Sequence, residues 1–243
     1  MKNSLIVIPT YNEVENINLM IDTIFSISSE TSILIVDDSS PDGTGGHVRA
    51  LQNKYPDKLF LLERKQKNGL GTAYIEGFKW GLAKSYNYFF QMDCDFSHNP
   101  NDLQRLYDQL INEDLDLCIG SRYVSGINVV NWPLSRVLLS YFASFYVRLI
   151  TGMKIKDPTA GYKLYRRTVL EKIPLNNVEF VGYAFQIEMK FRTWKKGFKI
   201  MELPIVFKDR ERGVSKLNSS IIKEAVFGVL KMKIKSIFSS HYK

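Results

Sequence analysis

The sequence predicts an α/β fold, a mostly parallel sheet flanked by helices, and three observations lead there. Short runs of β-branched and aromatic residues recur at a regular step through the first half: Leu5–Ile8, Ile33–Val36, Leu59–Leu62, Tyr88–Met92 and Asp116–Gly120. They are near-continuous in apolar character, as expected of strands buried on both faces. The segments between them carry apolar residues at helical spacing, and strand–helix alternation of this kind argues for right-handed βαβ units.

Taken in order, the first run passes into Pro9, Tyr11, Asn12 and Glu13, followed by a helical stripe of Ile17, Met20, Ile21, Ile24 and Phe25. The second run ends in Asp37 and Asp38 and the turn-forming SSPDGT; the third is followed by Lys67, Asn68, Gly69, Leu70 and Gly71. The fourth ends in Asp93 and Asp95, and a helix with Leu103, Leu106, Tyr107, Leu110 and Ile111 follows Pro100. The fifth ends in Gly120, Ser121 and Arg122. In parallel sheets ligands bind beyond the carboxyl ends of the strands, and that edge is where the polar residues collect.

The second half differs. From Tyr123 to Gly152 the chain is apolar and aromatic, with Arg136 and Arg148 its only charges. A helix is expected over Ala184–Lys195, an alternating strand over Lys199–Phe207, a basic loop at 209–216 and a basic amphipathic helix over Ser219–Phe238. With no repeat, linker or low-complexity tract, the chain reads as a single domain, residues 1–122 forming one half and 123–243 the other.

Asp93 and Asp95 are the leading candidates for chemistry. In extended chain residues i and i+2 point the same way, so both carboxylates can face one hard divalent cation such as Mg²⁺ or Mn²⁺. Asp114 and Asp116 have the same spacing but precede their strand, where two acids are ordinary solvated residues. Asp42 fits an Asx cap of its turn, while Asp37 or Asp38 could accept a hydrogen bond from a ribose or base. Gly69 and Gly71 either admit a ligand to the backbone or begin the next helix. Arg136 and Ser140 share a helical face, where an embedded arginine requires either an anionic partner or a route for its head group to water. Arg122 could join the same anion site. The loop carrying Arg210, Arg212 and Lys216 is a solvated charge run or a lid that closes on phosphate. The terminal helix either packs on the domain or lies in a membrane interface. His47, His98 and His241 are scattered, and no Ser/His/Asp constellation emerges.

Composition narrows the partners. A net charge of +8 and a pI near 9.3 point to an acidic one: nucleic acid, an anionic membrane surface or a phosphorylated substrate. The basic residues are spread over loops rather than gathered into a stripe or a known nucleic-acid signature, which argues against nucleic acid. Two cysteines, Cys94 and Cys118, give neither zinc spacing nor a disulfide framework, and a reduced, cytosolic setting is expected. No run approaches the about 20 apolar residues of a membrane span, and the start of the sequence lacks the form of a signal peptide.

Eight segments then resemble one family in the right order: PTYNEVENI, IVDDSSPDGT, NGLGTAYIEGFKWG, MDCDFSHNP, CIGSRYV, DPTAGYKLYRRTVLEKI, GYAFQIEM and DRERGVSKL. The chain resembles the dolichyl-phosphate (polyprenol-phosphate) mannose synthases of glycosyltransferase family 2, with the Rossmann-like GT-A fold. The resemblance implies inverting transfer of mannose from GDP-mannose to a polyprenyl (dolichyl) phosphate; transfer of glucose from UDP-glucose is the competing reading. It implies nucleotide-sugar contacts at Pro9, Tyr11, Glu13, Asp38, Asp93, Asp95, Arg210 and Lys216, and a Mg²⁺ or Mn²⁺ site at Asp93, Asp95 and Ser97. Arg122, Arg136, Ser140 and Arg210 are implied to hold the phosphates of donor and lipid acceptor, with Asp95 and Arg122 catalytic. Cys94 stands where alanine is usual and Ala160 where serine or glycine is common. Some members carry membrane spans or a separate membrane-anchoring subunit; the expectation here is a peripheral protein on the cytoplasmic face, held by its basic helix or by such a subunit.

Overall fold

The structure is a computed structural model that describes residues 1–209 and 219–238, the side chains of 219–225 excepted. Through the first half it alternates strictly: β1 (Ser4–Thr10), α1 (Val14–Ile27), β2 (Ser32–Asp37), α2 (Thr44–Gln52), β3 (Leu59–Glu63), α3 (Leu70–Leu82), β4 (Tyr88–Gln91), α4 (Asp102–Asn112) and β5 (Leu117–Ser121). All five expected strands are present, within two residues of their expected ends. The second half supplies β6 (Val129–Val130), α5 (Leu134–Thr151), β7 (Lys163–Arg166), α6 (Arg167–Lys172), a 3₁₀ turn at Leu175–Asn177, α7 (Ala184–Lys195), β8 (Ile200–Pro204), β9 (Phe207–Lys208) and α8 (Ser219–Phe238).

Seven strands form one sheet in the order β3-β2-β1-β4-β7-β5-β8, and β6 pairs with β9 in a separate ribbon. All neighbours in the large sheet are parallel except β7, which runs antiparallel to β4 on one side and β5 on the other. The expected strand over 199–207 is therefore two strands: β8 closes the edge of the main sheet, and β9 leaves it to pair with β6.

Alternation along the strands sorts the core into two layers. Ile6 and Ile8 of β1 join Ile33 and Ile35 of β2, the inner faces of α1 and α4, and Val48 of α2. Leu5, Val7, Leu34 and Val36 face the other way, against Tyr74 and Phe78 of α3 and Phe185 and Met189 of α7. Helix α3 lies close to the sheet because a Cβ at Gly77 would come within 2.5 Å of Val7 Cγ1. This double cover is why the strands read as apolar runs rather than as alternating patterns.

Candidate active site

At the carboxyl end of β1, Thr10 Oγ1 donates to Asp37 Oδ1 at 2.8 Å. Asp37 also receives the Ser40 amide at 2.9 Å and the Ser40 hydroxyl at 2.6 Å, so it builds the turn. Asp42 does the same for the next helix: its carboxylate takes the Val14 and Thr44 amides at 3.0 Å each, tying the two loops together. Asp38 is buried and bonded to Arg64 at 2.7 Å. Burial raises its carboxyl above the ordinary value, with Arg64 opposing. Arg64 continues to Thr72 Oγ1 at 2.6 Å and Glu76 at 3.2 Å. A cleft of about 500 Å³ opens here, lined by Glu63, Arg64, Lys65, Gln66, Asn68 and Glu76. Tyr11 borders the same loops, with Lys67 Nζ 3.9 Å above its ring.

Gly69 and Gly71 begin the next helix, Gly69 capping α3 with a positive φ of 96° and Gly71 lying in its first turn. A side chain at Gly71 would meet the Phe180 carbonyl and the Phe185 ring within 2.8 Å, and the Gly71 amide bonds to Val181 O at 2.8 Å.

Asp93 and Asp95 follow β4 as expected. The Asp93 side chain is 36% exposed, while Asp95 is buried. Tyr74 donates its hydroxyl to Asp93 Oδ1 at 3.0 Å; burial, reinforced by Asp93, pushes that phenol well up and keeps it a donor. Asp95 Oδ1 accepts the Ser97 amide at 3.1 Å and the Ser97 hydroxyl at 2.6 Å. Between them Phe96 adopts a left-handed conformation (φ 58°), as do Asn12 and Ser39 beyond the first two strands. Non-glycine residues seldom adopt it, and such strain collects at functional sites.

His98 is not scattered at all. It is buried beneath Asp93, and its Nδ1 accepts the Asp93 amide at 3.1 Å, which places the ring proton on Nε2. Burial lowers its pKa and holds it neutral. The ring stacks on Tyr162 at 4.8 Å and meets Phe207 edge-on at 5.5 Å. The counterpart pair behaves as sequence suggested: Asp114, 88% exposed, bonds to Arg166, and Asp116 takes the Lys199 amide.

Arg122 is buried and gripped by Asp157, with Nε to Oδ2 at 2.8 Å and Nη2 to Oδ1 at 2.7 Å, and Nη2 also reaches Thr159. Burial disfavours both charges, but each partner outweighs it: the Asp157 carboxyl is lowered and the Arg122 guanidinium raised. Asp157 is in turn held through its amide by Glu202 at 2.8 Å. Trp132 stands between two arginines, 5.6 Å from Arg122 and 4.1 Å from Arg136. Its indole Nε1 is buried without a hydrogen-bond partner among the described residues. Arg136 bonds to Asp209 at 2.8 Å, and Ser140 accepts the Tyr123 hydroxyl at 2.7 Å. Of the two readings of Arg136, the structure supports pairing, with the side chain partly exposed as well. Arg210, Arg212, Lys216 and His241 lie outside the described residues.

Tyr74, His98, Arg64, Trp132 and Asp157 were not found by residue-by-residue reading. Each acts through a fold contact, and only Asp157 had a signal, as the first residue of the DPTAGYK segment.

Above α5 and α8 the surface is apolar. Leu134, Leu138, Leu139, Phe142, Phe145 and Leu149 are all more than two-fifths exposed along one stripe of α5. On α8 the residues buried against the domain are Gly228, Val229, Met232 and Ser236, whereas Phe227, Ile234, Ile237 and Phe238 are exposed. Of the apolar side chains expected along one side of this helix, those described are mostly exposed: Val226, Leu230, Ile234, Ile237 and Phe238 against buried Val229. Among the described residues no helix is long and apolar enough to cross a membrane.

A mostly parallel sheet flanked by helices, with two carboxylates, a polar cleft and two arginines gathered beyond its strand ends, is the architecture of the GT-A glycosyltransferases. Solved structures of glucosyl-3-phosphoglycerate synthase from Mycobacterium tuberculosis share that fold. One in complex with Mn²⁺, UDP and phosphoglyceric acid aligns with a TM-score of 0.69 at 17% identity, covering 97% of this chain and 78% of that one. The chain belongs to glycosyl transferase family 2, whose profile matches residues 5–174, and it is a glycosyltransferase. It is 46% identical over 234 residues to polyprenol monophosphomannose synthase of Mycolicibacterium smegmatis, spanning 96% of this chain and 88% of that protein. It is also 44% identical over 225 residues to undecaprenyl-phosphate mannosyltransferase of Micrococcus luteus, spanning 93% and 91%.

Proposed function

We propose that this chain transfers mannose from GDP-mannose to a polyprenyl phosphate, with inversion at the sugar carbon, while docked peripherally on the cytoplasmic face of a membrane. The observation that carries the reading is the join between its two polar sites. Phe207 touches the His98 ring at 5.5 Å and the Trp132 ring at 5.4 Å, and lies 5.6 Å from the Arg122 guanidinium. The carboxylate site and the arginine site are therefore neighbours across one aromatic side chain, as donor diphosphate and acceptor phosphate must be.

The donor's nucleoside fits the cleft beside Asp38, Arg64 and Tyr11, with Pro9 near the end of β1 and Glu13 at the start of α1. Asp93 and Asp95 suit a hard divalent cation, since both offer carboxylate oxygen and such ions are commonly held by one or two carboxylates together with substrate phosphates. When bound, such a cation neutralises the diphosphate as it leaves. Tyr74 and Ser97 orient the two carboxylates, and neutral His98 fixes the Asp93 backbone through its amide. The acceptor needs no general base, since a phosphate monoester with a second pKa of ~6 is already an anion at neutral pH. Arg122 and Arg136, joined by Arg210 and Lys216 from outside the described residues, hold donor and acceptor phosphates together against their repulsion. The unpartnered indole N–H of Trp132 adds a donor in the same place. The exposed stripes of α5 and α8 supply a lipid-facing surface beside this acceptor site, whether alone or with an anchoring subunit.

A radiolabelled-donor assay with polyprenyl phosphate tests the reading. Label should pass from GDP-mannose to lipid in the presence of Mn²⁺ or Mg²⁺ and stop in EDTA. Transfer from UDP-glucose in preference, or none from either, would overturn it.

A further inference from the structure

Two lysines beneath the site take no part in the chemistry above. Lys163 on β7 and Lys190 on α7 are both fully buried, and their side-chain nitrogens converge on the same two residues, Ala160 and Gln186. Their hydrogen-bond partners are uncharged oxygens, and two buried ammonium groups sharing such acceptors would repel each other without a bonded carboxylate to offset it, which favours a neutral amine at one of them. Lys190 Nζ donates to Pro158 O at 3.0 Å, Ala160 O at 2.6 Å and, more weakly, Gln186 O at 3.4 Å. Lys163 Nζ donates to Gln186 Oε1 and, at 3.4 Å, to Ala160 O. The charged groups facing the pair act at longer range: Asp93 beyond β4, Arg122 beyond β5, Asp157 in the intervening loop and Glu202 on β8.

What the pair holds is the 157–161 segment. Asp157 at its start grips Arg122. Pro158 and Ala160 give their carbonyls to Lys190, and at Gly161 an added Cβ would come within 3.1 Å of the His98 ring and 3.7 Å of Asp93. The segment thus spans from the acceptor arginine to the floor of the carboxylate site. We propose that Lys163 and Lys190 share one proton and act as positioning residues, holding the 157–161 segment so that Asp157 presents Arg122 to the phosphates.

The electrostatics agree with this arrangement. Burial lowers Lys163 well below its ordinary value, with Lys190 adding to the effect. Burial also lowers Lys190 to about 7, with Asp157 opposing. Below that pH the bonds from Lys190 to Pro158 and Ala160 are charge-assisted. Above it the neutral amine still donates, but more weakly, and Asp157 loses part of its counter-charge.

Two measurements on the full chain test the proposal, the first resting on the donor and acceptor proposed above and the second independent of them. In the transfer assay, kcat should fall as pH rises through about 7, with the donor KM little changed. Lys163→Met removes the neighbouring amine whose neutral form supports the Lys190 ammonium, so the midpoint should move down by about one pH unit. Lys190→Met should lower kcat by on the order of tenfold and abolish that limb. Lower rates with an unmoved midpoint in Lys163→Met would mean a purely structural pair and would overturn the proposal. In the second measurement, NMR of the lysine side chains without substrate should show one signal titrating near neutrality that is lost in Lys190→Met. If every lysine titrates near its ordinary value, the pair is not as proposed. Should Lys190→Met fail to fold, Lys163→Met and the wild-type titration still decide.

Discussion

The two halves of the chain place their charges and their apolar side chains in opposite ways. Of the 20 large apolar side chains exposed among the described residues, only Leu19 and Ile111 precede residue 122. The other 18 follow it, most of them on α5 and α8. Buried charge runs the other way: Asp157, Lys163, Glu188, Lys190 and Arg192 are all at most 1% exposed. The first half contributes five of the seven strands of the main sheet and gathers acids at their carboxyl ends. The second has turned part of its surface apolar and knotted its charges inside. That is the pattern expected of a protein that handles a water-soluble donor at one end and a lipid at the other.

The sharpest way to break the comparison is at the donor side. Asp95→Ala and Asp93→Ala should reduce transfer by 10³-fold or more, on the order of a lost metal-held transition state, while leaving the protein folded; turnover surviving in the variants or in excess EDTA would sink the metal reading. Next comes the buried charge of the second half. Asp157→Asn leaves Arg122 without its counter-charge in the interior, and breaking such a pair costs about 3–5 kcal/mol, measurable as a lower denaturant midpoint. Because Asp157 is held below its ordinary value in the folded state, it contributes stability above about pH 4 that is lost as pH falls further. The gap between wild type and Asp157→Asn should therefore narrow in acid; a gap that widens there would contradict the pairing.

Arg136→Ala should raise the half-saturating lipid phosphate concentration by about tenfold, the worth of one charge-assisted bond, and change GDP-mannose binding less. Calorimetry showing equal losses for both ligands would remove the division of labour between the halves. The smallest effect on the fold should come from the apolar stripe. Phe142→Glu with Phe145→Glu should leave stability within about 0.5 kcal/mol yet reduce sedimentation with anionic vesicles. Unchanged vesicle binding would mean that the stripe faces something other than lipid.

Much of this was legible in advance, and where it was not, the reason is physical. β1 to β5 announced themselves because strands buried on both faces need unbroken apolar runs, and Asp93 and Asp95 stood out because a strand end gives an i, i+2 pair a common direction. β7 did not stand out: KLYR is short, and half of it is charged, since Lys163 is sheltered by Gln186 and Arg166 reaches the rim to pair with Asp114. The separation of β8 from β9 is likewise a tertiary event, invisible in an alternating run. His98 looked isolated because its partner is a backbone amide five residues earlier and its neighbours, Tyr162 and Phe207, are distant in the chain. Arg136 was correctly marked as costly, but Asp209 and Trp132, which share its charge, could be matched to it only in three dimensions.

The placement of β7 has a consequence for how the molecule is made. The strand that bears the carboxylates and the strand that bears Arg122 are not neighbours; β7, more than forty residues later than β5, lies between them and pairs with both. A nascent chain that has emerged only as far as residue 122 carries β4 and β5 with facing edges unpaired, and such edges invite association with other chains. The sheet closes only once residues 163–166 arrive, a long-range closure of the kind that slows folding. Expressed alone, the first 122 residues should therefore aggregate rather than yield a small donor-binding domain.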